Sequence, residues 1–79
     1  MKINVKLFSL LRQYVDGYDP NLGVDIELGP QAVVADLIRH LNIPADKKPV
    51  VSCNGRILKE NDVLSDGSLL QIFQPVAGG

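Results

Sequence analysis

Apolar and polar residues alternate from the start of the chain. Ile3, Val5 and Leu7 are separated by Asn4 and Lys6 and preceded by Lys2. A period of two over six residues predicts a strand with one buried face. Ser9 then precedes Leu10-Leu11-Arg12-Gln13-Tyr14, which reads as a short helical segment capped by the Ser9 hydroxyl. Asp16-Gly17 and Asp19-Pro20-Asn21 carry turn chemistry, so residues 16–23 are expected to form a surface loop. Val24, Ile26 and Leu28 alternate with Asp25 and Glu27 and predict a second strand. Gly29-Pro30 is expected to end that strand and open a helix, with Gly at the cap and Pro at the first helical position. Val33, Val34, Leu37, Ile38 and Leu41 recur at three- and four-residue spacing, one face of that helix, with Asp36 and Arg39 on the other. Asn42 and Pro44 end it.

Pro49 to Cys53 predicts a third strand, and Asn54-Gly55 is a hairpin signal, because a type I′ turn needs positive φ at both central residues. Arg56-Ile57-Leu58 is the expected return. After a turn at Asp66-Gly67, Leu69 to Gln74 reads as the last strand, with Leu70 and Ile72 on one face and Leu69 and Phe73 on the other. Five strands and a single amphipathic helix predict an α+β fold of two layers: a mixed sheet with one main helix packed on one face.

Length narrows the possible roles. A chain of 79 residues is one domain, and a domain this small buries a modest fraction of its surface. That leaves little room for a deep catalytic pocket beside the core and favours a carrier or binding module. The 8 basic and 9 acidic residues give a net charge of −1, with no basic excess to grip a phosphate backbone, so no nucleic-acid partner is expected. No apolar run approaches the length of a membrane span, and the alternating N-terminus lacks the apolar core of a signal peptide. One cysteine, Cys53, rules out an intramolecular disulfide framework and suits a reducing compartment. The expected location is the cytoplasm, with no membrane association.

The chemistry gathers at the end of the chain. Pro75 cannot donate to a sheet ladder and should close the last strand. Residues 1–75 are therefore read as the folded domain. Val76-Ala77-Gly78-Gly79 is read as an extended flexible tail, small and uncharged. Four extended residues reach about 13–14 Å, enough to enter another protein's active site. Glycines without Cβ atoms can thread a narrow channel. The reactive group delivered is the α-carboxylate of Gly79, a poor electrophile until it is converted to an acyl derivative with a good leaving group, such as an acyl-adenylate. The chain has no GxxxxGK[ST] and no GxGxxG phosphate-binding motif. ATP must therefore be used by an activating partner, and no bound cofactor is expected on this chain. The bland alternative is a frayed terminus of no consequence. The tail's position directly after a hydrophobic strand argues against it.

Several segments taken in order resemble the small subunit of molybdopterin synthase, a ubiquitin-like sulfur carrier with the β-grasp fold. They are Val5-Lys6-Leu7-Phe8-Ser9-Leu10-Leu11-Arg12, Val34-Ala35-Asp36-Leu37, Asn54-Gly55, Asp66-Gly67 and Pro75-Val76-Ala77-Gly78-Gly79. The resemblance covers essentially the whole chain. It implies that Gly79 is adenylated by a ubiquitin-activating-like enzyme and converted to a thiocarboxylate by a sulfur donor, a sulfurtransferase. It also implies that the tail inserts into a large catalytic subunit, which passes the sulfur to a pterin precursor to build the dithiolene of molybdenum or tungsten cofactor. On this reading the chain is a carrier, not an enzyme. The resemblance implies further that the first and last strands lie side by side and parallel. Two positions depart from the family pattern: Gln31-Ala32 stands where a Thr cap is common, and Gln74 where a second proline is common. A related carrier in thiamin-thiazole synthesis also ends in Gly-Gly, but tends to lack a helical segment like the one from Phe8 to Arg12. Two other readings share the tail: a protein modifier that transfers Gly79 to lysines, and an interaction domain with an inert terminus.

A docking surface is also expected. Phe8, Leu69 and Phe73 fall on the strand face opposite the core and are predicted to form the partner patch, with Pro75, Val76, Ala77 and Gly78 leading to Gly79. The competing expectation is that Tyr14 or Tyr18 covers them. Cys53 is read as a small buried hydrophobe, and Asp62 and Asp66 as turn residues. His40 lies at a helix C-terminus with no second ligand at metal spacing, so no metal site is expected. Lys47-Lys48 is read as a solvated loop pair, and no nucleophile–base constellation is present.

Overall fold

The computed structural model describes residues 1–75. Five strands form one sheet: β1 (Lys2–Leu7), β2 (Val24–Glu27), β3 (Val50–Cys53), β4 (Arg56–Ile57) and β5 (Leu69–Phe73), with one α-helix, α1 (Val34–His40). The spatial order is β2-β1-β5-β3-β4. β1 runs antiparallel to β2 and parallel to β5, and β3 is antiparallel to both β5 and β4. Two short 3₁₀ helices, Ser9–Tyr14 and Ala45–Lys47, occupy the connections. This is the β-grasp arrangement, and the first and last strands are parallel neighbours as expected.

Alternation along the strands builds the core. Ile3, Val5 and Leu7 of β1, Val51 of β3, and Leu70 and Ile72 of β5 are almost fully buried and meet Val34, Leu37 and Leu41 of the helix region. Ile26, Leu11, Ile43 and Leu64 close its sides. Each such aliphatic side chain stabilises the fold by about 1.5–3 kcal/mol through removal from water. Cys53 is half-buried and packs against this core, less enclosed than expected.

The helix starts later than Gly29-Pro30 suggested. Pro30 and Gln31 form a turn, with Gln31 at φ 63°, and Val33 is extended and bridges Val63. The segment after β4 claims the backbone here. The N–H groups of Val34 and Ala35 donate to the carbonyls of Asp62 and Glu60, at 3.1 and 3.0 Å, and Leu64 N–H donates to Ala32 at 2.8 Å. Donors that a longer helix would have bonded internally are thus satisfied by a tertiary contact. The Asp36 carboxylate accepts from the Val33 N–H at 2.9 Å and from Arg39 at 2.9 Å. At the other end Asn42 takes φ 59° and Ile43 N–H donates to Ile38, a left-handed stop of the kind Asn was expected to provide.

Ser9 does not act as a side-chain cap. It adopts φ 52°, and the 3₁₀ helix is preceded by extended Phe8, whose carbonyl accepts from Leu11 N–H at 3.2 Å. The Asn54-Gly55 turn has φ 53° and 79°, as a type I′ hairpin requires. Asp62 behaves as a turn residue, accepting from Lys59 N–H at 2.8 Å; Asp66 sits in the turn before β5, but its carboxylate reaches across to accept from Lys2 N–H of β1 at 2.7 Å.

Gly23 is the tightest backbone position. It has φ 67°, and a Cβ there would lie 2.8 Å from the Val5 carbonyl oxygen and 2.9 Å from Asn4 Oδ1. Gly17 shares the positive φ, 68°, but has open space around it. Gly17→Ala should therefore cost only the left-handed penalty of about 1–2 kcal/mol. Gly23→Ala should cost more, because β1's backbone has to move; urea denaturation of the two variants measures the difference.

The Asp36 carboxyl is held below the usual carboxylate range, chiefly by the Val33 N–H and also by Arg39. A carboxylate with a pKa lower folded than unfolded stabilises fully above its unfolded value, and this contribution is lost as pH falls through the folded one. The gap in thermal midpoint between the native protein and Asp36→Ala should be constant near neutrality. It should narrow as pH drops through and below the carboxylate range.

Candidate functional site

The outer face of the sheet, away from α1, is built by the strand residues that alternate with the core. The parallel register pairs Leu7 with Ile72, and Phe8 N–H donates to the Ile72 carbonyl at 3.2 Å. This places Phe8 beside the end of β5. On the other flank of β5, Val50 pairs with Phe73 and Ser52 with Gln71. Phe8, Phe73, Ser52 and Gln71 line a shallow, open and largely apolar depression. Across it the Ser52 hydroxyl donates to Gln71 Oε1 at 3.2 Å.

Two members of the expected trio are thus brought together and one is not. Phe8 is 40% exposed and Phe73 half-buried, and both line the depression. Leu69 is 63% exposed on the same face but stands at the opposite end of β5, paired with Asn4, about 13 Å along the strand from Phe73. Ser52 and Gln71 were not anticipated. Their alternation was legible, but the antiparallel β3–β5 register that sets them beside the aromatics was not.

Neither tyrosine covers the depression. Tyr14 and Tyr18 pack against the core cluster. The Tyr18 hydroxyl accepts the Leu7 N–H at 2.7 Å, and Arg12 Nε donates to the Leu7 carbonyl at 3.0 Å. β2 begins at Val24, opposite Val5, so it does not reach Leu7. Two side chains from the following segment replace the missing strand there. The Arg12 guanidinium also lies over the Tyr18 ring at 5.9 Å.

β5 ends at Phe73, and Gln74 and Pro75 are exposed and follow directly on the rim of the depression. Val76, Ala77, Gly78 and Gly79 lie outside the described residues. Among the described residues no three His, Cys, Asp or Glu side chains are grouped to hold a metal ion. His40 is exposed. No described helix is long and apolar enough to cross a membrane.

A sequence model of the ThiS family matches residues 5–79. The chain belongs to the ThiS family. Members of this ubiquitin-fold sulfur-carrier family work with an adenylating enzyme and a large catalytic subunit. The match takes in the Phe8 segment, the hairpin, β5 and Gly78-Gly79. Among solved structures, the ThiS-family chain is similar to a Pyrococcus furiosus protein provisionally described as molybdopterin converting factor subunit 1. Identity is 28% over 95% of this chain and 98% of that one, with a TM-score of 0.72. It is also similar to SAMP1 of Haloferax volcanii, at 22% identity over 100% of both chains and a TM-score of 0.70. The ubiquitin of Caldiarchaeum subterraneum is 22% identical, over 100% of this chain and 98% of its own, with a TM-score of 0.62. These last two likenesses establish the ubiquitin-like fold. No curated protein matches the chain.

Proposed function

We propose that this ThiS-family protein is a sulfur carrier for molybdopterin synthesis, with the Gly79 carboxylate as its working group. A partner enzyme uses ATP to convert that carboxylate to an acyl-adenylate. A sulfurtransferase delivers sulfur as a persulfide that displaces AMP, and a thiol reductant cleaves the resulting acyl disulfide to leave a thiocarboxylate. The domain then docks on a large catalytic subunit, and residues 76–79 carry the sulfur to a pterin precursor. The chain contributes no catalytic group of its own; it presents a terminus and a surface. The observation that carries the molybdopterin assignment is the 28% identity with the Pyrococcus protein, over nearly the whole of both chains. The 3₁₀ segment Ser9–Tyr14 supports it over the thiazole role, which shares the same activation chemistry.

The proposal requires Gly79 to be the terminal residue in the cell. Intact mass measurement after incubation with ATP, the cognate adenylating enzyme and a sulfur donor should show one oxygen replaced by sulfur. Deleting Gly79, or fusing a tag after it, should abolish both that mass change and dithiolene formation while leaving the thermal midpoint unchanged. Higher-mass conjugates instead would assign the chain to protein modification, and a terminus that stays unmodified would remove the carrier reading.

The docking surface is the depression between Phe8 and Phe73, with Pro75 at its rim and Leu69 at its periphery. Phe73→Ser should weaken binding to the large subunit about tenfold or more. Leu69→Ser, on the same face but outside the depression, should weaken it less. Calorimetric titration of both folded variants ranks them, and equal effects would place the contact elsewhere.

A further inference from the structure

The aromatic depression has a polar row beside it on the outer face of the sheet. Register sets Phe8, Phe73 and Val50 across one row, and Lys6, Gln71, Ser52 and Ile57 across the next. Lys6 lies between Val5 and Leu7, both buried in the core, so its half-buried side chain leaves on the outer face. Neither row contains an Asp or a Glu.

The second row holds donors without an acceptor. Ser52 Oγ donates to Gln71 Oε1, and the two N–H groups of Gln71 Nε2 have no partner among the described residues. Every buried side-chain N or O atom among them is hydrogen-bonded, so the unpartnered Nε2 is open to solvent. Lys6 stands opposite Gln71 in the parallel β1–β5 ladder. It makes no ion pair among the described residues, where Arg39 pairs with Asp36 on the helix.

The acidic residues of β2 and the loop before it do not supply the missing acceptor. Asp25, opposite Asn4, accepts from the Asn4 side-chain amide at 2.9 Å. Glu27 stands opposite Lys2, at the far end of β1. Asp19 accepts from Asn21 N–H at 2.8 Å within its own loop. The residue beside Lys6 on that flank is Gly23, where a Cβ would lie 3.2 Å from Lys6 Cγ, and it brings no charge. An apolar depression is thus bordered by one amide donor and one ammonium, both uncommitted.

We propose that the large-subunit surface seated on this depression presents an Asp or Glu beside an apolar side chain. The apolar group fills the space between Phe8 and Phe73, and Gln71 Nε2 and Lys6 Nζ hold the carboxylate. Charge-assisted hydrogen bonds of this kind are shorter and stronger than neutral ones. The apolar contact supplies most of the affinity, and the carboxylate fixes orientation and rejects surfaces that bring a Lys or Arg against Lys6. The inference rests on the docking surface given under the proposed function and adds the chemistry of its complement.

Calorimetric titration of the large subunit with the native chain and three variants of native thermal midpoint tests the inference. Gln71→Glu keeps an oxygen for the Ser52 hydroxyl and replaces the N–H donors with a second acceptor, and should weaken binding about tenfold or more. Lys6→Gln should weaken it about fivefold and flatten its dependence on added salt. Lys2→Gln removes the same charge from the same face of β1, about 13 Å away, and should leave the affinity within about twofold. The inference is overturned if Gln71→Glu binds as tightly as the native chain or more tightly. It is also overturned if Lys2→Gln matches Lys6→Gln, which would report net charge and no local contact. Phe73→Ser separates the two readings. If it weakens binding while Gln71→Glu and Lys6→Gln do not, the docking surface stands and the carboxylate falls; if none of the three changes the affinity, the contact lies elsewhere and both fall.

Discussion

The parallel pairing of β1 with β5 is the contact on which everything else in this small protein depends. It is the most non-local pairing in the chain, joining the first strand to the last, and loop closure has to precede it. Once made, it fixes the centre of the sheet, with β2 added on one side and the β3–β4 hairpin on the other. Phe8 follows β1 and Phe73 ends β5 at the same place, so the aromatic depression and the end of the last strand are products of one register. A shift of one residue in that pairing would send Ile72 to solvent and Phe73 into the core. The hydrophobic pattern that builds the core therefore also enforces where β5 ends and Phe73 sits.

The pairing leaves a problem at Leu7, where β1 outruns β2. A buried backbone N–H and carbonyl without partners would each cost about 1–3 kcal/mol. Tyr18 and Arg12 resolve it from the side, each through one hydrogen bond, and their stacking holds both in place. This explains why Tyr18 is turned to the core and does not lie on the outer face. Its hydroxyl is needed at the end of β1, and Tyr14 packs against the core beside it, so the depression stays open. The same segment holds Gly23 against Val5, so the path from the 3₁₀ helix to β2 is fixed at both ends by contacts with β1.

Much of this was legible in the residue pattern, and what was not has a common cause. The alternation in β1, β2 and β5, the Asn54-Gly55 turn, the Asn42 stop and the turn role of Asp62 are local, and local rules read them correctly; Asp66 sits in its turn as expected, but its bond to Lys2 N–H was not legible. The start of α1 was misplaced because Pro30 is a good first helical residue in isolation, but the carbonyls of Glu60 and Asp62 take the donors of Ala35 and Val34. Ser9 failed as a cap for the same kind of reason: Phe8 is tied to Ile72, and the backbone must turn through a positive φ to leave the sheet. At the site, strand parity showed that Phe8, Leu69 and Phe73 share a face. Which of them meet depended on cross-strand register, and so did the inclusion of Ser52 and Gln71.

A carrier that hands a short arm to other proteins gains from having its reactive group and its recognition surface close but separate. Four residues past Pro75 span about 13–14 Å at most. On the proposed function, a partner that seats the Phe8–Phe73 depression would limit where the glycine carboxylate can go, and positioning would become a matter of rigid docking and not of search. The domain needs no pocket for this, which suits a core small enough to leave little room for one. Its sheet is asymmetric to the same end. The centre carries the apolar depression, and the β2 edge carries exposed Asp25 and Glu27, which would oppose their own counterparts if a second copy of β2 paired there. An apolar patch and an open strand edge on so small a domain invite aggregation. Asp25 and Glu27, exposed on β2, set like charges against any second copy of that strand, which works against pairing between copies.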